Sequence, residues 1–473
     1  MYDCTKNFIN GEWLVSASGN THDIINPATE ESIGQVTFGT ADDVDSAVAA
    51  ARSAFGEFSQ WTVDQRLELL AKIEQTFLAR YNDVAEAITA EMGAPVTLSQ
   101  KAQAATGVGH LRATMGALQA MDLEQPVGNS IVLKEPVGVC GLITPWNWPV
   151  NQIMCKVAPA IAAGCTVVLK PSEIAPANAT IVAEILEAAG VPAGVFNLVH
   201  GDGPGVGSAM SAHPDIDMIS FTGSTRAGIL VAKSAADTVK RVAQELGGKS
   251  ANIILEGAPL EEAMQSGVGG MFTNTGQSCN APSRMLVPES IYEEAVYIAA
   301  AVAAHLPPGD PQSPETFMGP LVSEAQYNKV QGLIEKGIEE GANLVCGGPG
   351  KPDGLETGYF VKPTIFRDVN NNMTIAREEI FGPVLVMIPY STIDEAIEIA
   401  NDSDYGLCGY VFGASKEEAM AVARRVRTGM VHLNGALNEI SAPFGGYKQS
   451  GNGREWGAHG IEEFLEVKAV MAS

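Results

Sequence analysis

A single cysteine, Cys279, lies in a stretch of small and polar residues, Thr275–Pro282. Apolar spacing predicts a helix over Leu260–Thr273 before it and a strand over Arg284–Val287 after it. A structural cysteine is usually buried in an apolar element and inert, whereas Cys279 falls at a helix-to-strand junction. Backbone amides there could stabilise a thiolate, so Cys279 is a candidate nucleophile, with a plain structural cysteine as the alternative.

A carboxylate and an amide are two further candidates, because each follows a predicted strand. Glu245 ends the predicted strand Arg241–Glu245 and suits a general base, with a surface charge as the alternative. Asn147 stands in the loop Thr144–Pro149, which follows the predicted strand Val139–Ile143. An asparagine amide can donate to a developing oxyanion, although this loop alone is more typical of a rigid aromatic turn.

Two glycine-rich turns follow neighbouring predicted strands and favour a nucleotide. Gly201–Gly207 comes after the strand Phe196–Val199, and Phe221–Gly228 comes at the end of the strand Met218–Phe221. Bare amides and a helix N-terminus at such turns can hold a phosphate. Neither turn has the full GxGxxG pattern with its downstream acid, so each alone is equally consistent with a plain tight turn.

The stretch Lys170–Glu173 follows a third predicted strand, at the edge where open α/β sheets bind ligands. Lys170 and Glu173 could hydrogen-bond ribose hydroxyls, and a carboxylate there disfavours a 2′-phosphate. NAD is therefore expected over NADP, although Ser172 could reach a 2′-phosphate. A solvated loop with ordinary charges is the alternative.

Seven motifs, in order along nearly the whole chain, resemble the NAD(P)-dependent aldehyde dehydrogenase superfamily. They are Pro145–Asn147, Lys170–Glu173, Phe221–Ser224, Glu245–Lys249, Gly276–Cys279, Glu378–Pro383 and Pro443–Gly446. The spacing between Glu245 and Cys279 is also the one that the family pattern leads one to expect.

The resemblance implies oxidation of an aldehyde to the carboxylic acid. Cys279 would form a thiohemiacetal and, after hydride transfer, a thioester. Asn147 and the Cys279 N–H would hold the oxyanion, and Glu245 would activate the hydrolytic water. Lys156 and Glu455 match positions that form a proton relay in some members, although Lys156 alone is more typical of a surface lysine.

The resemblance also implies a cofactor site for NAD, with NADP as the alternative, and no metal. Lys170 and Glu173 would contact the adenosine ribose, and Ser224 would face the pyrophosphate. Glu379 would hold the nicotinamide ribose with Phe381 nearby, although Phe381 alone is more typical of core packing. The implied set is Thr144, Pro145, Trp146, Lys170, Ser172, Glu173, Gly203, Gly207, Gly223, Ser224, Leu246, Glu379 and Phe381.

Glu245 also separates the competing functions. Relatives that pass the acyl group to coenzyme A generally lack this glutamate, so its presence favours hydrolysis to the acid. A catalytically silent relative would be expected to lack Cys279 or Glu245, and both are present.

Two stretches of alternating strands and helices must position these residues. They run from Val139 to Leu255 and from Leu260 to about Leu433, a rhythm typical of parallel α/β sheets. The other strands predicted in them are Thr166–Leu169, Asn252–Leu255, Val384–Ile388, Cys408–Phe412 and Met430–Leu433. Before them, residues 1–40 are turn-rich, and Asp42 and Asp43 are predicted to cap the first of several helices.

The resemblance implies an α/β fold with three units. They are a Rossmann-like cofactor domain over residues 1–120 and 140–247, an α/β catalytic domain over 248–440, and a small β oligomerisation extension over 121–139 and 455–473. The ribbon Pro126–Val139 and the predicted last strand Glu466–Met471 would leave open sheet edges. The resemblance implies a homodimer or homotetramer.

Composition excludes several other classes. The net charge of −26 argues against nucleic acid and anionic membranes as partners, since both need basic surface. Seven scattered cysteines without a CxxC pair predict neither a disulfide framework nor a zinc site. Met1–Lys6 lacks the basic region and apolar run of a signal peptide, and a cytoplasmic protein is expected.

The sequence leaves the aldehyde open. The substrate tunnel is expected to be lined by residues 98–120, Trp148–Gln152, the neighbours of Cys279 and the loop Asn434–Phe444. Trp148, Met154 and Phe444 suggest an apolar lining, with core packing as the alternative.

Overall fold

The computed structural model describes residues 1–471. The alternating strands and helices that begin at Val139 form most of the first large sheet. Five parallel strands lie side by side, and two antiparallel strands extend one edge. The order across the sheet is Arg241–Glu245, Met218–Thr222, Val139–Ile143, Thr166–Lys170, Phe196–Leu198, Lys6–Ile9 and Glu12–Val15. The predicted parallel sheet is confirmed.

Alternate residues of these parallel strands enter two different cores. Leu142 and Val167 belong to one cluster of buried side chains, whereas Ile143 and Val168 belong to another. The sheet is therefore covered on both faces, as continuous apolar runs in parallel strands require. The helices of this half are Ala41–Phe58, Val63–Ala79, Tyr81–Met92, Val96–Leu98, Ala104–Ala120, Pro149–Ala163, Pro176–Ala188, Ser208–Ala212 and Thr225–Ala235.

Two predictions for the N-terminal part need correction. Residues 1–40 contain further short strands, Tyr2–Cys4, Thr21–Ile25 and Ser32–Thr37, which form their own three-stranded sheet. The first helix is capped by Thr40, whose side chain accepts from the Asp43 N–H while the Asp43 carboxylate accepts from the Thr40 N–H. This capping box starts the helix two residues earlier than an Asp42 cap would.

A second seven-stranded sheet carries the residues that follow Glu245. Its order is Asn343–Cys346, Thr364–Arg367, Val384–Tyr390, Arg284–Pro288, Ala251–Ile254, Cys408–Phe412 and Met430–Leu433. The strand Ala251–Ile254, predicted within the first alternating stretch, pairs in this sheet instead. The sequence did not predict the first two strands in this order. The helices of this half are Leu260–Phe272, Tyr292–Ala304, Glu324–Glu339, Thr374–Arg377, Ile393–Asn401 and Lys416–Ala423.

The predicted ribbon forms a separate three-stranded antiparallel sheet. Glu124–Val127 pairs with Ser130–Pro136 across the turn Gly128–Asn129. Leu465–Val470 also pairs with Ser130–Pro136, on its other side. Val137 and Gly138 are not a strand, because they only lead into Val139–Ile143. The helix Gly457–Glu463 precedes the last strand. The final two residues of the predicted extension, 472 and 473, lie outside the described part of the chain.

Residues 1–471 contain no cluster of His, Cys, Asp or Glu side chains that could hold a metal ion. No helix in this range is long and apolar enough to cross a membrane. The seven cysteines, all within this range, are free thiols.

The carboxylate of Glu91 joins two helices of the first half. It lies fully buried on Tyr81–Met92 and accepts hydrogen bonds from the Ala177 N–H at 2.7 Å and the Asn178 N–H at 2.9 Å. The Asn178 side-chain amide donates to it as well. These are the first amides of Pro176–Ala188, a helix whose N-cap residue makes no side-chain cap within the described chain. Glu91 therefore caps that helix from outside.

We expect Glu91→Ala to destabilise the protein, because it leaves three buried N–H groups without an acceptor. The expected loss is on the order of 3 kcal/mol. Urea unfolding followed by circular dichroism measures it, and Glu86→Ala, an exposed position on the same helix, is the matched control. Equal unfolding midpoints for the two variants would contradict the capping role.

Candidate active site

The loop that carries Cys279 begins with three consecutive residues in the left-handed region. Asn274, Thr275 and Gly276 have φ values of 54°, 56° and 71°. Such a conformation is strained for a β-branched residue, and here the Thr275 hydroxyl anchors it by donating to the Gly319 oxygen at 3.1 Å. A Cβ on Gly276 would lie 2.2 Å from the Gly382 oxygen, so only glycine fits.

The Asn274 side chain ties this turn to the loop that holds Asn147. Its amide nitrogen donates to the main-chain oxygens of Asn147 at 2.9 Å and Gln277 at 3.2 Å, while Gln103 donates to its oxygen at 3.0 Å. The Asn147 amide donates to the same Gln277 oxygen at 3.0 Å. The second N–H of the Asn147 amide remains available, so this network can place a hydrogen-bond donor beside the loop of Cys279.

Asn274 was not among the predicted site residues, because it lies one residue before the stretch Thr275–Pro282. A signal was available, because asparagine adopts the left-handed conformation more readily than other residues with a side chain. That preference alone does not tell a site from an ordinary turn.

Glu245 is the last residue of its strand and lies buried. Neither of its carboxylate oxygens has a hydrogen-bond partner within residues 1–471. A Cβ on Gly445 would lie 2.7 Å from Glu245 Oε1, so the glycine leaves room for the carboxylate. Burial, followed by the negative charge of Glu455, raises the pKa of Glu245 well above its usual range. A buried carboxyl of this kind is poised to exchange a proton.

Lys156 is buried, and its ammonium forms an ion pair with Glu455, so the expectation of a surface lysine was wrong. The ammonium also donates to the Ser220 hydroxyl at 3.1 Å. A cavity of about 10 Å³ is lined by Glu245 and Glu455 together, which is room for one water molecule. The geometry can therefore link the two carboxyl groups through a water.

Three strand ends of the first sheet offer polar side chains at one edge. Lys170 is buried, with its ammonium 3.3 Å from Glu173 Oε2. The hydroxyls of Thr144 and Thr222 are buried and have no partner among the residues that the structure describes. Unsatisfied buried hydroxyls beside a lysine fit the polar groups of a nucleotide.

The two glycine-rich turns differ in what they offer. In the first, the Gly205 N–H donates to the Asp202 side chain at 2.7 Å and the Gly207 N–H to the Asp202 main-chain oxygen at 3.1 Å. The amides of Gly205 and Gly207 are therefore not bare, contrary to the expectation for Gly207. In the second, Ser224 caps the helix Thr225–Ala235 by accepting from the third of its N–H groups. The earlier amides of that helix can face an anion.

The remaining residues of the predicted cofactor site lie between the two sheets. Glu379 Oε1 accepts the Gly248 N–H at 2.8 Å. Phe381 is half-buried rather than part of the core, has a φ of 61° and meets Trp146 edge-on with ring centroids 5.4 Å apart. Leu246, Ser172 and Pro145 complete the set; the first two are buried.

Cys279 is half-buried and packs against the cluster that contains Phe444 and Trp456. Burial raises the pKa of its thiol above the usual range, and the carboxylates of Glu379 and Glu245 raise it further. The group is therefore a thiol at neutral pH, and its nucleophilic form requires removal of the proton.

A cavity of about 700 Å³ opens onto Cys279. Its aromatic lining comprises Trp148, Phe317, Tyr410, Phe412, Phe444 and Trp456. Trp148 and Phe444 were predicted, whereas Met154 belongs to the hydrophobic core of the first half. The other four were missed because they come from distant segments with no local signal. The Trp148 indole N–H donates to the Ser278 hydroxyl at 2.8 Å, which fixes one wall of the cavity.

Comparison with known proteins agrees with this geometry. The model of the aldehyde dehydrogenase family matches residues 13–470. A 3-succinoylsemialdehyde-pyridine dehydrogenase from a Pseudomonas species is 58% identical, over 100% of this chain and 99% of the relative.

Two solved structures are also similar to this chain in sequence and in fold. A mutant of aldehyde dehydrogenase C from Pseudomonas syringae, in complex with NAD+ and octanal, has a TM-score of 0.98 and 51% identity over 99% of this chain and 96% of that one. The betaine aldehyde dehydrogenase of Staphylococcus aureus in complex with NAD+ has a TM-score of 0.95 and 38% identity, over 98% and 94% of the chains.

The raised pKa of Cys279 predicts slow alkylation at neutral pH. Iodoacetamide reacts with the thiolate, so we expect the rate for the protein without NAD to lie below that of free cysteine at pH 7 and to keep rising beyond pH 9. Mass spectrometry of the Cys279 peptide measures the rate, and Cys279→Ala corrects for the other half-buried thiol, Cys346. A plateau below pH 8 would show that the thiolate is stabilised instead.

Proposed function

This chain belongs to the aldehyde dehydrogenase family, and we propose that Cys279, Asn147 and Glu245 carry out its NAD-dependent oxidation of an aldehyde to the carboxylic acid. One observation supports this above the others. Asn274 joins the loops of Asn147 and Cys279 in one hydrogen-bond network, while Glu245 lies buried with no protein partner among residues 1–471.

The Cys279 thiol gives its proton to Glu245, the resulting thiolate attacks the aldehyde carbon, and the carbonyl oxygen gains negative charge in the thiohemiacetal. The free N–H of the Asn147 amide and the Cys279 main-chain N–H stabilise that charge. After the hydride has left, the thioester on Cys279 is hydrolysed by water that gives its proton to Glu245. The raised pKa of Glu245 suits it to accept a proton near neutral pH.

NAD, when bound, supplies the acceptor for the hydride. Lys170 and Glu173 hold the adenosine ribose, and the helix that Ser224 caps faces the pyrophosphate. Glu379 holds the nicotinamide ribose beside Phe381. The Glu173 carboxylate near Lys170 repels a 2′-phosphate, which supports NAD as the preferred cofactor.

The proton taken up by Glu245 leaves through Glu455 and Lys156. The small cavity between the two carboxyl groups has room for the connecting water. Lys156 lies beside Glu455 in a buried ion pair, so a proton passed along this route does not leave an isolated buried charge.

The hydrolytic reaction is favoured over acyl transfer to coenzyme A. Glu245 is required only where water attacks the thioester, and the structure gives it a buried place and a pKa shift that suit this task. A coenzyme A-acylating enzyme has no use for such a base.

The aldehyde is of medium size with a mainly apolar body. Six aromatic side chains contribute to the wall of the cavity of about 700 Å³, and such side chains suit an apolar group. The relatives that act on a pyridine semialdehyde or bind octanal support the same range.

The two seven-stranded sheets and the sheet of the ribbon support the three predicted units, which span residues 1–120 and 140–247, 248–440, and 121–139 and 455–473. The sheet of Glu124–Val127, Ser130–Pro136 and the exposed strand Leu465–Val470 forms the oligomerisation extension. The open edges of its two outer strands, Glu124–Val127 and Leu465–Val470, suit a homodimer or homotetramer. Seven free thiols suit the reducing cytoplasm.

We expect Glu245→Gln to slow hydrolysis while leaving acylation largely intact. Rapid mixing with NAD and an aldehyde should give a burst of NADH, followed by a steady rate lowered by about 100-fold. Glu57→Gln, an exposed position, is the matched control, and Cys279→Ala should bind NAD without any burst. Unchanged steady turnover in Glu245→Gln would remove it as the base.

We expect Asn274 to act through Asn147. Asn274→Gly keeps the left-handed backbone and removes the amide, so it should lower kcat by about tenfold, part of the 10²–10³ that an oxyanion donor contributes. In an Asn147→Ala background the same change should lower kcat less than about twofold. Thr275→Gly removes an anchor that does not reach Asn147, and its effect should be equal in both backgrounds. Equal effects of Asn274→Gly in both backgrounds would refute the coupling.

A further inference from the structure

The cavity that opens onto Cys279 has an unusual charge balance for this protein. The chain contains 55 Asp and Glu against 29 Lys and Arg. Within the described residues, however, no Asp or Glu lines this cavity, and Lys101 is its one Lys or Arg. The site that receives the aldehyde is therefore kept free of the charge that dominates the rest of the protein.

Lys101 belongs to the π-helical turn Ser99–Gln103, which leads into the helix Ala104–Ala120. Its side chain is exposed, whereas Gln103 in the same turn is buried against Asn274. No ion pair joins Lys101 to any carboxylate between residues 1 and 471. Its ammonium is thus an unneutralised charge at an exposed part of the cavity wall.

The wall contains three other titratable side chains among the described residues, Cys279, Tyr410 and His432. Burial raises the pKa values of Cys279 and Tyr410, so both are neutral at neutral pH. His432 stacks on Tyr410 with ring centroids 4.9 Å apart, and burial lowers its pKa, so it is neutral at neutral pH as well. One ring nitrogen contacts the Ala436 oxygen at 2.8 Å. The net charge of the wall is therefore that of Lys101.

We propose that the tail of the aldehyde carries a lone-pair acceptor and no positive charge, and that Lys101 binds this acceptor. A carboxylate and a ketone oxygen share this chemistry, and the carboxylate gains more from an ammonium. A trimethylammonium tail meets repulsion from Lys101 and finds no anion in the wall. This inference rests on the proposed function, because it takes Cys279 as the point where the aldehyde end is held.

The test uses four aldehydes of equal chain length that end in a carboxylate, a methyl ketone, a methyl group or a trimethylammonium group. We expect kcat/KM of the wild-type protein with NAD to fall in that order at low ionic strength. Lys101→Met should lower the ratio of carboxylate to methyl substrate by about threefold, as for a partly exposed ion pair. Lys101→Glu should reverse the order of the carboxylate and trimethylammonium substrates.

Lys72→Met is the matched control. It removes the same charge from an exposed lysine that is paired with Glu68, away from the cavity, so it corrects for the long-range field of the protein. Equal ratios in Lys101→Met and Lys72→Met would overturn the proposal, and so would a trimethylammonium aldehyde oxidised as well as the carboxylate one. Failure of the wild-type protein to oxidise any of the four would instead refute the proposed function.

Discussion

The structure of the reaction centre depends on one hydrogen-bond network, in which a single asparagine side chain holds two loops together. Asn274 bridges the main chains of Asn147 and Gln277, and the strained turn that contains it persists because Thr275 and Gln103 anchor it. Asn147 follows a strand of the first sheet and Cys279 precedes a strand of the second. The network therefore also links a loop of the first half of the protein to a loop of the second half. The strain of the turn is offset by the four hydrogen bonds that Asn274, Gln103 and Thr275 make there, which give partners to buried polar groups.

Burial governs the protonation of this centre more than any single charge does. It raises the pKa values of Cys279 and Glu245 together, so burial disfavours the charged form of each group. The carboxylates of Glu379 and Glu245 act in the same direction on the Cys279 thiol. Negative charge in this buried centre is therefore costly, and the raised pKa of Glu245 suits it to accept a proton near neutral pH. Lys156 and Glu455, in contrast, are buried together as an ion pair.

The sequence predicted the features whose signals are local. Alternating apolar runs located both parallel sheets, and the polar residues at strand ends pointed to Lys170, Glu245 and Asn147. Features set by distant contacts were missed or misplaced. Lys156 is buried with its partner Glu455, which lies almost 300 residues further along the chain and is not indicated by the sequence around Lys156. The strand Ala251–Ile254 pairs in the second sheet, because the residues of one strand do not determine which strands lie beside it. The amides near Gly205 are occupied by Asp202, a local contact that a glycine pattern does not reveal.

The π-helical turn Ser99–Gln103 gives two neighbouring side chains different tasks. Gln103 faces inward and supports the asparagine on which the chemistry depends, while Lys101 faces the open side of the cavity. Position 101 can therefore change during evolution and shift the range of aldehydes accepted, while position 103 is held constant by the reaction. Relatives that oxidise different aldehydes by the same reaction should differ at position 101 and agree at position 103.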